Sequence, residues 1–392
     1  MQQCVYAVLS KHNDMSGIFT QQSILILATF GLSVFFGLMV IPLIVRFCRR
    51  KGLYDHPDGR KIHKTNIPRL GGISFFPIMA FATLVVVLTH NQDASSGNKI
   101  SLSAWSLTFF FSILIIYTVG IVDDIVGLGA KTKFAGQGLA AVLLPLSGLY
   151  INNLYGFLCI QEVPFVLGLL LTVFVIVFAC NAINLIDGID GLSSCLSFIA
   201  LGDFLLCFMA DHLYAYCVLI AGLMGVLAAF VYFNIWGSEE KKTKIFMGDS
   251  GSLTLGFILG FLFVKYVMIN PESNIYHADA LSIAISLIIV PMFDVVRVSL
   301  ARMSHHRHIF KADKNHIHHK LMRAGLTQHQ TLCTILALAL FFIVVNLLLI
   351  QHVGVTRIVV IDVVLWTLFN FLLNKYLQSK GQLAFLEIPP EL

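Results

Sequence analysis

Five short polar clusters interrupt an otherwise apolar chain, and each holds side chains that handle divalent cations or phosphates. Asp123 and Asp124 are adjacent carboxylates. Asn184, Asp187 and Asp190 lie within NAINLIDGIDGL, and Asn234 closes a later apolar run. Asp249 sits in FMGDSGS, and His316, His318 and His319 form a His-Ile-His-His run. Every cluster falls where an apolar segment ends. Carboxylates at the ends of membrane spans are costly to dehydrate. If all five clusters emerge on one face of a membrane, they can build one metal-and-phosphate site.

Each cluster has its own chemistry. On a helix, Asp123 and Asp124 point about 100° apart, so one can hold Mg²⁺ while the other meets a substrate. Asp187 and Asp190 are three apart, which on a helix puts them on one face. Gly248, Ser250 and Gly251 at a helix start leave backbone N–H groups free for an anion, and Asp249 there could bind a cation that bridges phosphates. GDSG also surrounds the nucleophile of chymotrypsin-like proteases, but that chemistry needs a soluble β-rich scaffold, and a span start supplies none. Seven of the fourteen histidines lie between 305 and 329. Their spacing admits zinc, yet no cysteine or HExxH accompanies them. Beside Arg302, Lys311, Lys314 and Lys320 they read better as a phosphate-contacting loop. Helix capping and simple solvation remain the plain alternative for any single Asp.

The elements that must position these groups are apolar helices. The chain is 57% hydrophobic and only 12% charged, about half the charge of a soluble domain. Runs of about 20 apolar residues recur throughout, which indicates an all-α polytopic membrane protein and excludes a soluble core or a β-barrel. The expected spans are eleven: 23–45, 71–89, 104–122, 134–150, 165–183, 192–210, 213–233, 251–269, 280–301, 331–351 and 355–375. The fourth is the weakest, and 149–163 could form a small hairpin. The first run follows 22 polar-led residues without a cleavage-site pattern, and reads as a retained span. The eight cysteines are scattered without CxxC and suggest neither disulfides nor a metal site.

Lysine and arginine placement sets the orientation. With eleven spans, 21 of the 26 basic residues fall on one side, which is then cytoplasmic. The N-terminus faces outward and the C-terminus faces the cytoplasm. All five polar clusters obey the same parity. The domain layout is a short outer segment at 1–22, one transmembrane catalytic domain at 23–378 and a cytoplasmic tail at 379–392. Asp203, Asp294 and Arg297 lie inside spans. Asp294 and Arg297 are one turn apart and could pair, for structure or for function.

Together these motifs resemble the polyprenyl-phosphate N-acetylhexosamine-1-phosphate transferase family over roughly residues 50–325. The DD motif appears as VDDIVGLGAKTKF, the NxxNxxDGxDGL motif as NAINLIDGIDGL, and the third as FMGDSGSLTLGF. The histidine motif appears as DKNHIHHKLMRAG. The muramoyl-pentapeptide branch carries three consecutive histidines followed by glutamate. This chain has His-Ile-His-His followed by Lys320, with Arg302 and Asp313 upstream, and looks like the branch that takes UDP-N-acetylglucosamine (UDP-GlcNAc).

The resemblance implies transfer of N-acetylglucosamine 1-phosphate to undecaprenyl phosphate in a bacterial inner membrane, as the first membrane step of a surface polysaccharide. Its cofactor would be Mg²⁺, with Mn²⁺ as a substitute. Asp249 would ligate the metal with Asp123 and Asp124 beside it, and Asp123 would orient or deprotonate the lipid phosphate. Phe246 would stack on uracil, with Lys64 and Asp190 on the uridine. Asn184 and Asp187 would line the nucleotide-sugar pocket, supported by Asn234. Arg302, His316, His318 and His319 would hold the diphosphate and sugar, with Lys133 a further phosphate ligand. The partners implied are these two substrates and membrane lipid, without nucleic acid; a homodimer is compatible with the family. The alternatives are another UDP-N-acetylhexosamine or UDP-MurNAc-pentapeptide as donor or, in a different class, a secondary transporter or flippase. A transporter usually places its binding groups near the bilayer midplane.

Overall fold

A computed structural model describes residues 21–55, 66–92, 104–269, 276–308 and 313–386. Lys64, expected on the uridine, lies outside the described residues. In lipid every backbone polar group must be satisfied within the chain, and the described residues are accordingly mostly helical. The helices are α1 (Gln21–Lys51), α2 (Phe75–Gln92), α3 (Ala104–Val126), α4 (Ala130–Leu146), α5 (Phe165–Ile186) and α6 (Leu192–Ala210). They continue as α7 (Tyr214–Ile235), α8 (Asp249–Val267), α9 (Ala280–Ser304), the short α10 (Ile317–Arg323), α11 (Gln328–Leu349) and α12 (Val355–Ser379).

Ten of them are long and apolar enough to cross a membrane. The fourth expected span, 134–150, is the 17-residue α4, only about 25 Å long, and is not among these ten. Its two ends nonetheless bond to opposite ends of α3. Its first turn holds Lys133 at the polar end, and its last turn meets the start of α3, where Trp105 Nε1 donates to the Ser147 carbonyl at 2.8 Å. Pro145 and Gly148 end the helix there. The next residues form the small hairpin β1 (Asn153–Phe157) with β2 (Ile160–Glu162), so α5 starts at the end opposite the polar clusters.

Helix α8 is the axis of the molecule. Every residue from Ser250 to Val267 is buried, enclosed by α3, α5, α6, α2 and α9. By contrast α1 and α12 expose Leu38, Leu43, Val364 and Leu372, as surfaces facing hydrocarbon do. The polar end of α8 is fixed by the segment that precedes α2. Phe246 N donates to Pro68 O at 2.7 Å, Gly71 N to Phe246 O at 2.9 Å and Gly72 N to Met247 O at 2.8 Å. A Cβ on Gly72 would land on the backbone of Gly251, so the two chains cross at glycine contact distance. Gly72→Ala is therefore expected to lower the melting temperature of the detergent-solubilised protein by about 5 °C or more, since backbone must separate. An unchanged melting temperature would show that the crossing has slack.

Candidate active site

Four chain segments meet at the polar end: the last turn of α3, the first of α4, the last of α5 and the first of α8. Asp123 and Asp124 do not follow α3, as the expected boundary at 122 had it, but form its last turn. Their side chains diverge as adjacent helical positions must. Asp124 is buried and turns to α8, where Oδ1 accepts from Asp249 N at 2.8 Å and Oδ2 from Ser250 N at 2.9 Å. A carboxylate here satisfies two free donors and faces the positive end of the helix dipole. Arg69 donates to the Asp124 carbonyl. Gly248 sits at φ +76°, where a Cβ would strike Arg69 O and the Asp124 carboxylate; only glycine fits.

Asp123 points the other way. Its Oδ1 accepts from Leu128 N at 2.6 Å, and its Oδ2 lies 2.5 Å from Lys133 Nζ. The same ammonium reaches Asp249 Oδ2 at 3.4 Å. Asn184 donates through Nδ2 to Asp249 Oδ1 and, at 2.8 Å, to Ser252 Oγ. Lys133 thus sits as a cation between two carboxylates contributed by different helices.

Asp187 and Asp190 do not share a helical face, because α5 ends at Ile186 and α6 begins at Leu192. They lie in the turn between, and both line the cleft. Burial, with the carboxylates of Asp249, Asp190 and Asp124 nearby, pushes the Asp187 carboxyl up to about 8. Asp190 pairs with Lys244 at 2.7 Å, and Lys244 also donates to the Asn234 carbonyl. The Asn234 side chain accepts from Gly191 N at 2.7 Å and donates to Ile245 O at 2.9 Å. Asn234 therefore clamps the turn rather than presenting free groups. The cleft holds about 560 Å³ and is lined by Asp187, Asp190, Phe246, Asp249 and His319 among others.

The histidine loop follows α9. Asp294, fully buried, accepts from Arg297 Nη2 at 2.6 Å and Ile317 N at 3.0 Å, and pairs with His316 Nδ1 at 2.8 Å. Arg302 is paired with Asp313 at 2.8 Å. His318 is buried against Gly188, and neither ring nitrogen has a hydrogen-bond partner among the described residues. Of the four groups expected on the diphosphate and sugar, His319 alone lines the cleft; Arg302, His316 and His318 stand behind it.

Residues 106–267, from α3 through α8, match the model of glycosyl transferase family 4. A probable undecaprenyl-phosphate N-acetylglucosaminyl 1-phosphate transferase of Bacillus subtilis is 32% identical over 82% of this chain and 84% of its own length. The chain belongs to glycosyl transferase family 4. An undecaprenyl-phosphate alpha-N-acetylglucosaminyl 1-phosphate transferase of Yersinia pestis is 30% identical over 71% of this chain and 72% of its own. A decaprenyl-phosphate N-acetylglucosaminephosphotransferase of Mycobacterium tuberculosis is 30% identical over 70% of each. As a member of this family the chain is a phospho-sugar transferase.

Several residues of this glycosyl transferase family 4 site escape sequence reasoning. Lys244 reads as one more positive-inside lysine, and nothing local announces its bond to Asp190, 54 positions away. Arg69 reads as an anion contact, yet it holds backbone. The Asp294–Arg297 spacing was the one usable signal for the loop anchor. A pH response follows from the buried histidines. Burial, with cationic neighbours, lowers His318 well below 6.5 and His319 to about 4. The unfolded chain therefore takes up protons first as pH falls below about 6.5. The contribution is present above that pH and is lost as pH falls towards 4. The raised Asp187 carboxyl works in the opposite direction over this range, so the histidine effect is read as a difference: between pH 7.5 and 5 the native chain is expected to lose melting temperature relative to His318→Gln. An identical slope in that variant would remove His318 from the effect.

Proposed function

We propose that the protein transfers N-acetylglucosamine 1-phosphate from UDP-GlcNAc to undecaprenyl phosphate, releasing UMP, at the cytoplasmic face of a bacterial inner membrane. The observation that carries this is Lys133 held between Asp123 and Asp249, the second of which lines the polar cleft at the helix ends. One substrate is a soluble anion and the other a phosphate tethered in lipid, so they can meet only at a membrane face. The bias of lysine and arginine towards this end supports its being cytoplasmic.

A phosphate oxygen of the lipid attacks the β-phosphorus of the donor, and the bond to the oxygen bridging the two phosphorus atoms breaks, leaving with UMP. Such a transfer depends on positioning and electrostatics. Lys133 supplies positive charge where phosphates must converge, and Asp123 orients it. Phe246 offers an aromatic face to the base, and Asp190, held by Lys244, an acceptor to the uridine. No three of His, Cys, Asp and Glu converge to hold a metal ion among the described residues. Mg²⁺ needs less, since it keeps several waters and binds through one or two carboxylates plus substrate phosphates. Asp249, with Asp123 across from it, fits that demand, and bound Mg²⁺ would offset charge on the diphosphate.

The test is UMP release in detergent from UDP-GlcNAc, undecaprenyl phosphate and Mg²⁺. Release only with a different UDP-sugar would reassign the donor. No release with any donor from folded protein would end the enzyme reading.

A further inference from the structure

The chain after α12 turns back onto the histidine loop. Leu386 makes a reciprocal pair with the Asn315 side chain: Leu386 N donates to Asn315 Oδ1 at 2.8 Å, and Asn315 Nδ2 donates to Leu386 O at 3.1 Å. The Phe385 ring stacks on His305 with centroids 4.1 Å apart and planes 14° apart. Asn315 is almost fully buried, at 1% exposure, and is a node of the loop. Its carbonyl accepts from Arg297 at 2.6 Å, and its N–H donates to Asp313 at 2.9 Å. Arg297 binds Asp294, which also binds His316 and Ile317 N. The tail therefore joins the loop beside His316, and through Phe385 it also touches the end of α9.

We propose that the C-terminal tail, through Phe385 and Leu386, is a positioning strap that sets the histidine loop for the nucleotide-sugar donor. This rests on the donor-side reading of His319 given above. A side-chain amide that mimics a strand edge fixes the tail's backbone, so register matters and residue identity at 386 matters little. Among the described residues between Ser304 and Ile317 the loop has no helical frame, and an added backbone anchor limits the conformations it must sort through when a donor arrives. The lipid phosphate meets Asp123 and Lys133 on α3 and α4, to which no described tail residue is hydrogen-bonded, so the effect belongs to one substrate.

The experiment compares the full chain with a form ending at Lys380, which keeps α12 whole, and with Leu386→Pro and Leu386→Ala. Proline removes the N–H donor, whereas alanine keeps both backbone bonds. Truncation and Leu386→Pro are expected to raise KM for UDP-GlcNAc about tenfold, the scale of a lost pair of hydrogen bonds, with kcat and KM for undecaprenyl phosphate within about twofold. Leu386→Ala should stay near the full chain. Unchanged donor KM in the truncated form would overturn the strap. So would equal losses towards both substrates, or a proline effect matched by alanine. Docking is read separately by disulfide trapping between His305→Cys and Phe385→Cys, followed by mass spectrometry. Trapping in a chain that releases no UMP would fault the donor reading, while absence of trapping in an active chain would fault the strap.

Discussion

Asp249→Asn is expected to lower UMP release at least about a thousandfold, about 4 kcal/mol of transition-state stabilisation, without lowering the melting temperature. The substitution is nearly isosteric. The new amide oxygen can still accept from Asn184, which donates to Asp249 Oδ1 in the native site. Lys133 keeps Asp123 at 2.5 Å. What disappears is one negative charge from a site that holds Asp123, Asp124, Asp187 and Asp249, of which Asp123 and Asp249 share Lys133. The crowding is visible at Asp187, where burial and neighbouring carboxylates raise the carboxyl to about 8. Losing the charge relieves Asp187, but the ionised Asp249 is itself favoured by Asp123, Lys133 and Asn184, so the two effects offset and stability should stay near native while function is lost. A melting temperature that falls along with activity would recast Asp249 as a structural cap of α8. Normal turnover would remove it from the chemistry altogether.

The acids were legible because their chemistry is local. A carboxylate beside an apolar run has few reasons to exist, and the divergence of Asp123 from Asp124 follows from helical geometry alone. The helical inference failed at Asp187 and Asp190, since Gly188 and Gly191 release the backbone there and α5 stops at Ile186. The hairpin at 153–162 showed as a break in hydrophobicity, and α4 as a weak span, because both are matters of composition. Contacts between distant segments left no such trace. Lys244 with Asp190, Arg69 with the Asp124 carbonyl, and Leu386 with Asn315 each join residues more than 50 positions apart. Two of the three use main-chain atoms, which carry no residue signature. The histidines were read as a group by type, but burial separates them: His319 reaches the cleft, and His318 fills space against Gly188.

Asp294 decides how firmly that histidine loop is held, and Asp294→Ala is expected to be the most destabilising single change on this side of the molecule. The carboxylate is fully buried and serves Arg297, His316 and Ile317 N together. Its loss leaves the Arg297 guanidinium, with side-chain exposure of 18%, beside Lys320 and Arg323 without its acid. Breaking a buried pair from one side costs about 3–5 kcal/mol, or about 5–10 °C in melting temperature for a chain of this size. Removing both charges, as Asp294→Leu with Arg297→Met, should recover much of the stability, because no ion is then stranded. It should not recover the donor KM, since His316 and the Ile317 N–H stay unanchored and Asn315 loses its arginine. Stability and donor recognition would thus separate in one pair of variants. Full recovery of both in the double variant would mean that the buried pair only fills space. A melting temperature within about 2 °C of the native chain for Asp294→Ala would mean that Asp313 takes over the arginine, and that the loop hangs on Arg302 and the tail instead.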